Sequence, residues 1–222
     1  MPTYSGTNAF TLTIEEVIAE SYERCGLFVR TGYDLKTSRR SLNLLFAEWA
    51  NRGLNLWTIE QRTKTLSSGT SSYDLDEDLV DILSAVVTEA SDTTVDRQIE
   101  RISRAEYLNI SKKSTSGSPT QFYIERTITP KLYVYPTPDS ADVFKYYAMT
   151  RIQDAGVYTN NPEIPFRFLP CLVSGLAYYI AMKKAPERIG LLKQVYEDEW
   201  MRASSEDSTR SGIKIVPDVG VI

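Results

Sequence analysis

The chain has 222 residues, 25 Lys+Arg against 29 Asp+Glu, 24 aromatic residues and no histidine. The missing histidine excludes Ser-His-Asp and Cys-His nucleophile pairs and His-ligated metals, and the net charge of −4 argues against a general duplex-DNA binder. An apolar fraction of 42% over this length supports one large domain or two small ones with a real core. Cys25 and Cys171 are too few for a disulfide framework, and each reads as a small buried hydrophobe. The first six residues lack the basic and apolar regions of a signal peptide. The least polar window, Phe168 to Met182, is 15 residues long and too short to span a bilayer. The expectation is a protein cytosolic when made, with no membrane partner.

Thr13 followed by Glu16 is a capping-box pattern, so a helix is predicted from Ile14, with Val17, Ile18, Tyr22 and Cys25 as its apolar stripe and Gly26 as its stop. A second helix is predicted from about Leu35, with Asp34 as N-cap and the stripe Leu42, Leu45, Phe46, Trp49, ended by Gly53. Lys36, Arg39 and Arg40 fall on its outer face. Together these form an αα-hairpin in residues 1–53. It could pass for a helix-turn-helix, but the loop from Leu27 to Asp34 is long and the first helix carries Glu15, Glu16, Glu20 and Glu23. A solvated or subunit-contacting face is the better reading.

From Leu54 to Ile59 the pattern alternates and predicts a strand. The acidic turn Asp74, Asp76, Glu77, Asp78 leads to the apolar run Ile82–Val87, and Ile99–Ile102 is a short extended piece. Ser103 and Glu106 form a second capping box that starts a short helix. A polar loop from Ser111 to Pro119 includes Lys112 and Lys113. Strands are predicted at Gln121–Arg126, Lys131–Tyr135 and Val143–Met149. In Lys131–Tyr135, Leu132 and Val134 face one way and Tyr133 and Tyr135 the other. Residues 54–152 are thus expected to form an antiparallel β unit of four to six strands.

Helices return at residues 153–205. One is predicted from Glu163 to about Ala185, with Pro165 and Pro170 near its start. Pro186 then opens another, with the stripe Ile189, Leu192, Val195/Tyr196, Trp200. The expected fold class is α+β: a helical bundle formed by the N- and C-terminal helices, with an inserted antiparallel β-rich domain. Residues 206–222 form an extended tail whose end is apolar and β-branched (Ile213, Ile215, Val216, Val219, Val221, Ile222). Such a tail is either disordered or docked outside its own domain.

Constellations for chemistry are weak. The carboxylates Asp74, Asp76, Glu77, Asp78 and Asp81, or Glu197, Asp198 and Glu199, could supply a glycosidase pair, but solvated charge explains them better. The acidic turn lacks the glycine and terminal glutamate of an EF-hand in register, and no Walker or dinucleotide motif is present. No catalytic, cofactor-binding or metal residue is assigned and no cofactor is expected. Trp49, Trp57 and Trp200 are expected in the core. Tyr133, Tyr135, Tyr146, Tyr147, Tyr178 and Tyr179 exceed what one small core requires. The first four are candidate subunit or tail contacts, since Tyr is enriched at interfaces.

The segment Ile14 to Gly26, then Ala47-Glu48-Trp49-Ala50-Asn51-Arg52-Gly53-Leu54, resembles the head-to-tail adaptors of short-tailed bacteriophages. Leu75-Asp76-Glu77-Asp78, Ile102 to Tyr107, Gly117-Ser118-Pro119 and Leu132-Tyr133-Val134-Tyr135-Pro136 follow in the same order, so that the resemblance covers roughly residues 12–204. It implies a structural virion protein at the head–tail junction, assembled in the host cytoplasm. It implies a homo-oligomeric ring, typically dodecameric, with portal protein above and a tail nozzle or tubular protein below. Genomic DNA would pass through without sequence-specific binding. The apolar tail would be disordered in the free protein and ordered on the portal. The alternatives are a peptidoglycan-degrading tail-associated hydrolase, for which no motif is present, and a small DNA-binding regulator.

Overall fold

The structure, a computed structural model, describes residues 10–52 and 56–206. It is α+β, with five α-helices and two largely antiparallel sheets among the described residues. The chain divides into two units, Met1–Leu45 with Ala155–Ile222 and Phe46–Asp154.

In the helical unit, α1 (Ile14–Arg24) begins where both halves of the Thr13–Glu16 capping box form. Further donors of its first turn are met by the 158–160 loop, where Asn160 accepts from Ile14 N–H (2.9 Å) and Tyr158 from Glu15 N–H (3.0 Å). The helix ends in a Schellman motif: Gly26, at φ +68°, donates to Glu23, and Leu27 donates to Tyr22. A side chain at Gly26 would also meet the Arg188 guanidinium at 2.7 Å. The expected stripe of Val17, Ile18, Tyr22 and Cys25 is buried.

α2 (Gly32–Arg52) starts earlier than expected. Asp34 is not the residue before the helix but lies inside its first turn. Thr31 Oγ1 accepts from Asp34 N–H (3.2 Å), and the Asp34 carboxylate accepts from the N–H groups of Arg30 and Thr31 (3.1 Å each). A threonine with an acid three residues on does what Ser/Thr with Glu does elsewhere, so the cap shifts to Thr31. The stripe Leu42, Leu45, Phe46, Trp49 is buried as expected.

α4 (Leu169–Lys184) is apolar nearly all round and packs against both α1 and α5 (Ile189–Glu206). It starts later than predicted, after a 3-10 turn at Phe166–Phe168, because a proline disfavours helical geometry in the residue before it. Pro165 bounds that turn, and Pro170 is tolerated in the first turn of α4. Small residues let the helices approach closely. Ser21 Oγ lies 2.6 Å from the Val17 carbonyl and 3.1 Å from that of Val173, and Cys25 Sγ lies 3.2 Å from the Ala177 carbonyl. At Gly175 an added Cβ would stand 2.9 Å from the Tyr196 ring and 3.0 Å from the Leu45 methyls.

Among its described residues the β unit has eight strands in two sheets: β1 (Ile59–Thr65), β2 (Ser72–Asp74), β3 (Leu79–Thr88), β4 (Asp96–Gln98), β5 (Glu100–Arg101), β6 (Gln121–Glu125), β7 (Lys131–Tyr135) and β8 (Val143–Thr150). The sheet orders are β1-β8-β3-β4 and β2-β7-β6-β5, and only β5–β6 is parallel. Both sheets supply one core, including Ile82, Phe122, Leu132, Val134, Phe144 and Ala148. α3 (Arg104–Asn109) carries the second capping box as expected.

Two expectations for this unit change. Leu56–Thr58 is a 3-10 turn and the first strand begins at Ile59, residues 53–55 lying outside the described ones. That strand is a sheet edge bearing Glu60, Arg62 and Lys64, so apolar alternation is not its signal. The strand count exceeds six because β2, β4 and β5 are two or three residues long, too short to show a period.

Candidate functional site

The four tyrosines expected at contact surfaces are separated by strand register. In β7, Leu132 and Val134 point inward and Tyr133 and Tyr135 outward, half-buried. In β8 the pleat turns Phe144, Tyr146 and Ala148 into the core and Tyr147 out, where it is 49% exposed. Tyr146 is 3% exposed and lies 5.3 Å from the Phe144 ring, so it is a core residue and not available to a partner. Tyr133 and Tyr147 lie on the outer faces of different sheets and do not form one patch.

Around Tyr133 the structure builds an aromatic cluster. Tyr123 is its cross-strand partner on β6, with rings 5.9 Å apart, and Tyr107 of α3 lies over both at 5.3 and 5.7 Å. Tyr133 Oη donates to Glu125 (3.1 Å). Burial and that carboxylate push the Tyr133 phenol above its ordinary value. Lys113 sits 5.5 Å from the Tyr107 ring and donates to the carbonyls of Leu108 and Ile110 (3.0 Å each), so this loop lysine anchors its own loop. Beside them Leu108 is 73% exposed. Sequence reasoning found Tyr133 but not Tyr107 or Tyr123, because the cluster depends on where α3 lies against the sheet.

The acidic turn is latched by arginines. Arg62 on β1 grips Asp78 with two bonds (2.8 and 2.6 Å), reaches Asp76 (3.0 Å) and pairs with Glu60. Its guanidinium holds the Asp78 carboxyl below the usual range. Arg101 and Arg126 both pair with Asp81. Each of these carboxylates answers an arginine of its own unit, the geometry of a structural latch. Among the described residues no group of three or more Asp, Glu, Cys or His is placed to hold a metal ion.

Arg39 of α2 donates to the Gly156 carbonyl (2.9 Å) and lies 5.6 Å over the Tyr158 ring, which ties down the loop that caps α1. Arg40 and Lys36 remain exposed. Lys184 pairs with Asp34, and this bond, with the backbone N–H of Arg30, lowers the Asp34 carboxyl to about 2. Burial pushes the Cys25 thiol up, consistent with an inert packing role, and Cys171 is likewise buried. Trp49 is fully buried, whereas Trp57 and Trp200 are partly exposed.

One apolar surface was not anticipated. On α5, Leu192, Tyr196 and Ala203 are buried, but Leu191 (66%), Val195 (37%) and Met201 (60%) are exposed. Val195 therefore leaves the stripe in which it was placed. The adjacent pairs Leu191/Leu192 and Val195/Tyr196 make the sequence ambiguous there, since either member could face inward. Residues Ile213, Ile215, Val216, Val219, Val221 and Ile222 lie outside the described residues. No helix is long and apolar enough to cross a membrane among the described residues.

No curated protein matches the chain. A match to the SU10 adaptor protein family spans residues 18–214 and takes in the β unit and most of the helical one. With most of its length matched, the chain belongs to the SU10 adaptor protein family, a family of phage structural adaptors.

Proposed function

We propose that this chain is the head-to-tail adaptor of a short-tailed phage: a homo-oligomeric, dodecameric ring between the portal above and a tail nozzle or tubular protein below. The observation that carries the reading is the family match over residues 18–214, a span that takes in residues of both units. The helical segments, residues 1–53 and 153–205, form the ring wall, and the inserted β domain, residues 54–152, faces the tail. The exposed apolar face of α5 fits a contact between neighbouring subunits, and Tyr133, Tyr135 and Tyr147 fit contacts with a neighbour or the tail. The C-terminal residues Ile213, Ile215, Val216, Val219, Val221 and Ile222 dock on the portal.

A net charge of −4 suits a conduit that lets genomic DNA slide without gripping its phosphates. The reading includes no catalysis. The protein is made and assembled in the host cytoplasm and resides in the virion at the head–tail junction.

The test is to mix the purified chain with assembled portal and examine particles by negative-stain electron microscopy and sedimentation. A ring added to the portal is expected. Compact monomers that never add to a portal ring overturn the reading. Deleting residues 206–222 is expected to abolish portal attachment, and attachment that survives the deletion refutes the assigned role of the tail.

A further inference from the structure

Between α1 and the start of α4 lies a groove of about 490 Å³. Leu12, Ala19, Leu169, Pro170 and Val173 give it an apolar lining, and Glu16, Glu20 and Glu23 stand along the α1 side. Among the described residues that line it, the one cation, Arg24, is turned to Glu20 (3.0 Å) and to Ser174 Oγ (2.7 Å). The rim is therefore net negative above an apolar floor. Such a site selects an apolar segment that carries cations.

The chain itself holds one. Residues 208–217 contain Arg210 and Lys214, no acidic residue, and the β-branched Ile213, Ile215 and Val216. In an extended chain Ile213 and Ile215 share one side and Lys214 takes the other. Residues 1–9, which also lie outside the described residues, contain no charged side chain and no Ile, Leu or Val.

The reach is also right. α5 runs antiparallel to α4: Tyr196 meets Tyr178 and Gly175, and Trp200 lies 5.8 Å from Phe168. Glu206 thus ends the helix at the Leu169–Pro170 end of α4, which is the end that lines the groove. From there Ile213 is seven residues on, a span of up to about 23 Å. Adjacent helix axes are only about 8–10 Å apart.

We propose that residues 210–216 pack into the α1–α4 groove of their own chain, with Ile213 and Ile215 on the apolar lining and Arg210 and Lys214 at the glutamate rim. The free subunit then covers the apolar part of its C-terminal segment. Any partner that takes the segment has to compete with the groove. The proposal concerns the free chain, so it is tested without portal and can fail while the adaptor reading stands.

The experiment is disulfide trapping in the full-length chain carrying Ala19→Cys and Ile215→Cys. Ala19 is exposed, and the native Cys25 and Cys171 are buried at 2% and 1% exposure, out of the way. Circular dichroism checks that the fold is retained. An intramolecular bond is expected to form about ten-fold faster than in two controls, Ala19→Cys/Thr7→Cys and Gly190→Cys/Ile215→Cys. Adding Glu20→Lys and Glu23→Lys is expected to slow it about two- to five-fold, and Arg210→Glu with Lys214→Glu to restore it. Equal rates in all three pairs overturn the proposal. So does a faster Thr7 pair, which would make the N-terminal segment the occupant. Cross-linking only between two molecules, which would put the segment on a second copy, and a rate indifferent to both charge reversals overturn it as well.

Discussion

In the helical unit the closest packing runs through small residues and polar groups, whereas in the β unit it runs through aromatic rings and branched side chains. Ser21, Ser174, Cys25 and Gly175 bring α1, α4 and α5 together, with hydroxyl and thiol groups bonded across the gap or back to their own helix. In the sandwich, Phe144 meets Phe122 edge-on at 5.4 Å and Tyr146 at 5.3 Å, and Arg62 and Arg101 pair with carboxylates. The difference teaches where each unit is vulnerable. At Gly175 the helical unit has no room for added volume, whereas the centre of the sandwich is sensitive to losing it.

The largest effect is expected from Phe144→Ala, which empties the centre of the sandwich and should cost about 3–5 kcal/mol. Segment-resolved hydrogen exchange is the measurement. Opening of α4 to the same degree as β8 would break the comparison. Next is Gly175→Val, for which overpacking against Tyr196 and Leu45 predicts a loss of about 1–3 kcal/mol in chemical denaturation. A neutral result would show that the α4–α5 contact has slack the structure does not indicate.

Thr13→Ala removes the side-chain half of the α1 cap and should cost about 1 kcal/mol, with faster exchange confined to the first turn of α1. Arg62→Ala unfastens Asp76 and Asp78, and because those carboxylates are 70% and 45% exposed the loss should stay near 1 kcal/mol and shrink in high salt.

The smallest effect concerns acid. Asp34 sits at about 2 when folded, below the ordinary value of 3.8, so its contribution is present above pH ~4 and fades as the pH falls towards 2. Asp34→Asn should therefore flatten that part of the acid-unfolding curve and leave the slope above pH 5 unchanged. A slope identical to that of the parent chain would mean that other carboxylates dominate acid unfolding.

Features whose signal is local were readable in advance. Thr13 with Glu16 and Ser103 with Glu106 form capping boxes because the two partners are three residues apart in any helix start. The inward Leu132 and Val134 follow from alternation alone. Features that depend on which neighbour arrives were not readable. Tyr146 and Tyr147 are adjacent and chemically alike, and only the pairing of β8 with β1 and β3 sends one inward and one out. The Tyr107–Tyr123–Tyr133 cluster joins α3, β6 and β7, and the Asp81 latch joins three strands or strand ends. Neither has a local pattern to detect.

By itself the sequence determined the helix caps, the alternating strands, the absence of any histidine-based chemistry and the ordered motifs that place the chain among phage adaptors. Those depend on residue type and short spacing. Only the tertiary structure decided which tyrosines are surface, that α5 keeps an apolar face uncovered, and that α1 and α4 leave an acid-rimmed groove at the end where the C-terminal segment departs. Burial and reach are properties of elements brought together from distant parts of the chain, and no window of sequence contains both sides of such a contact.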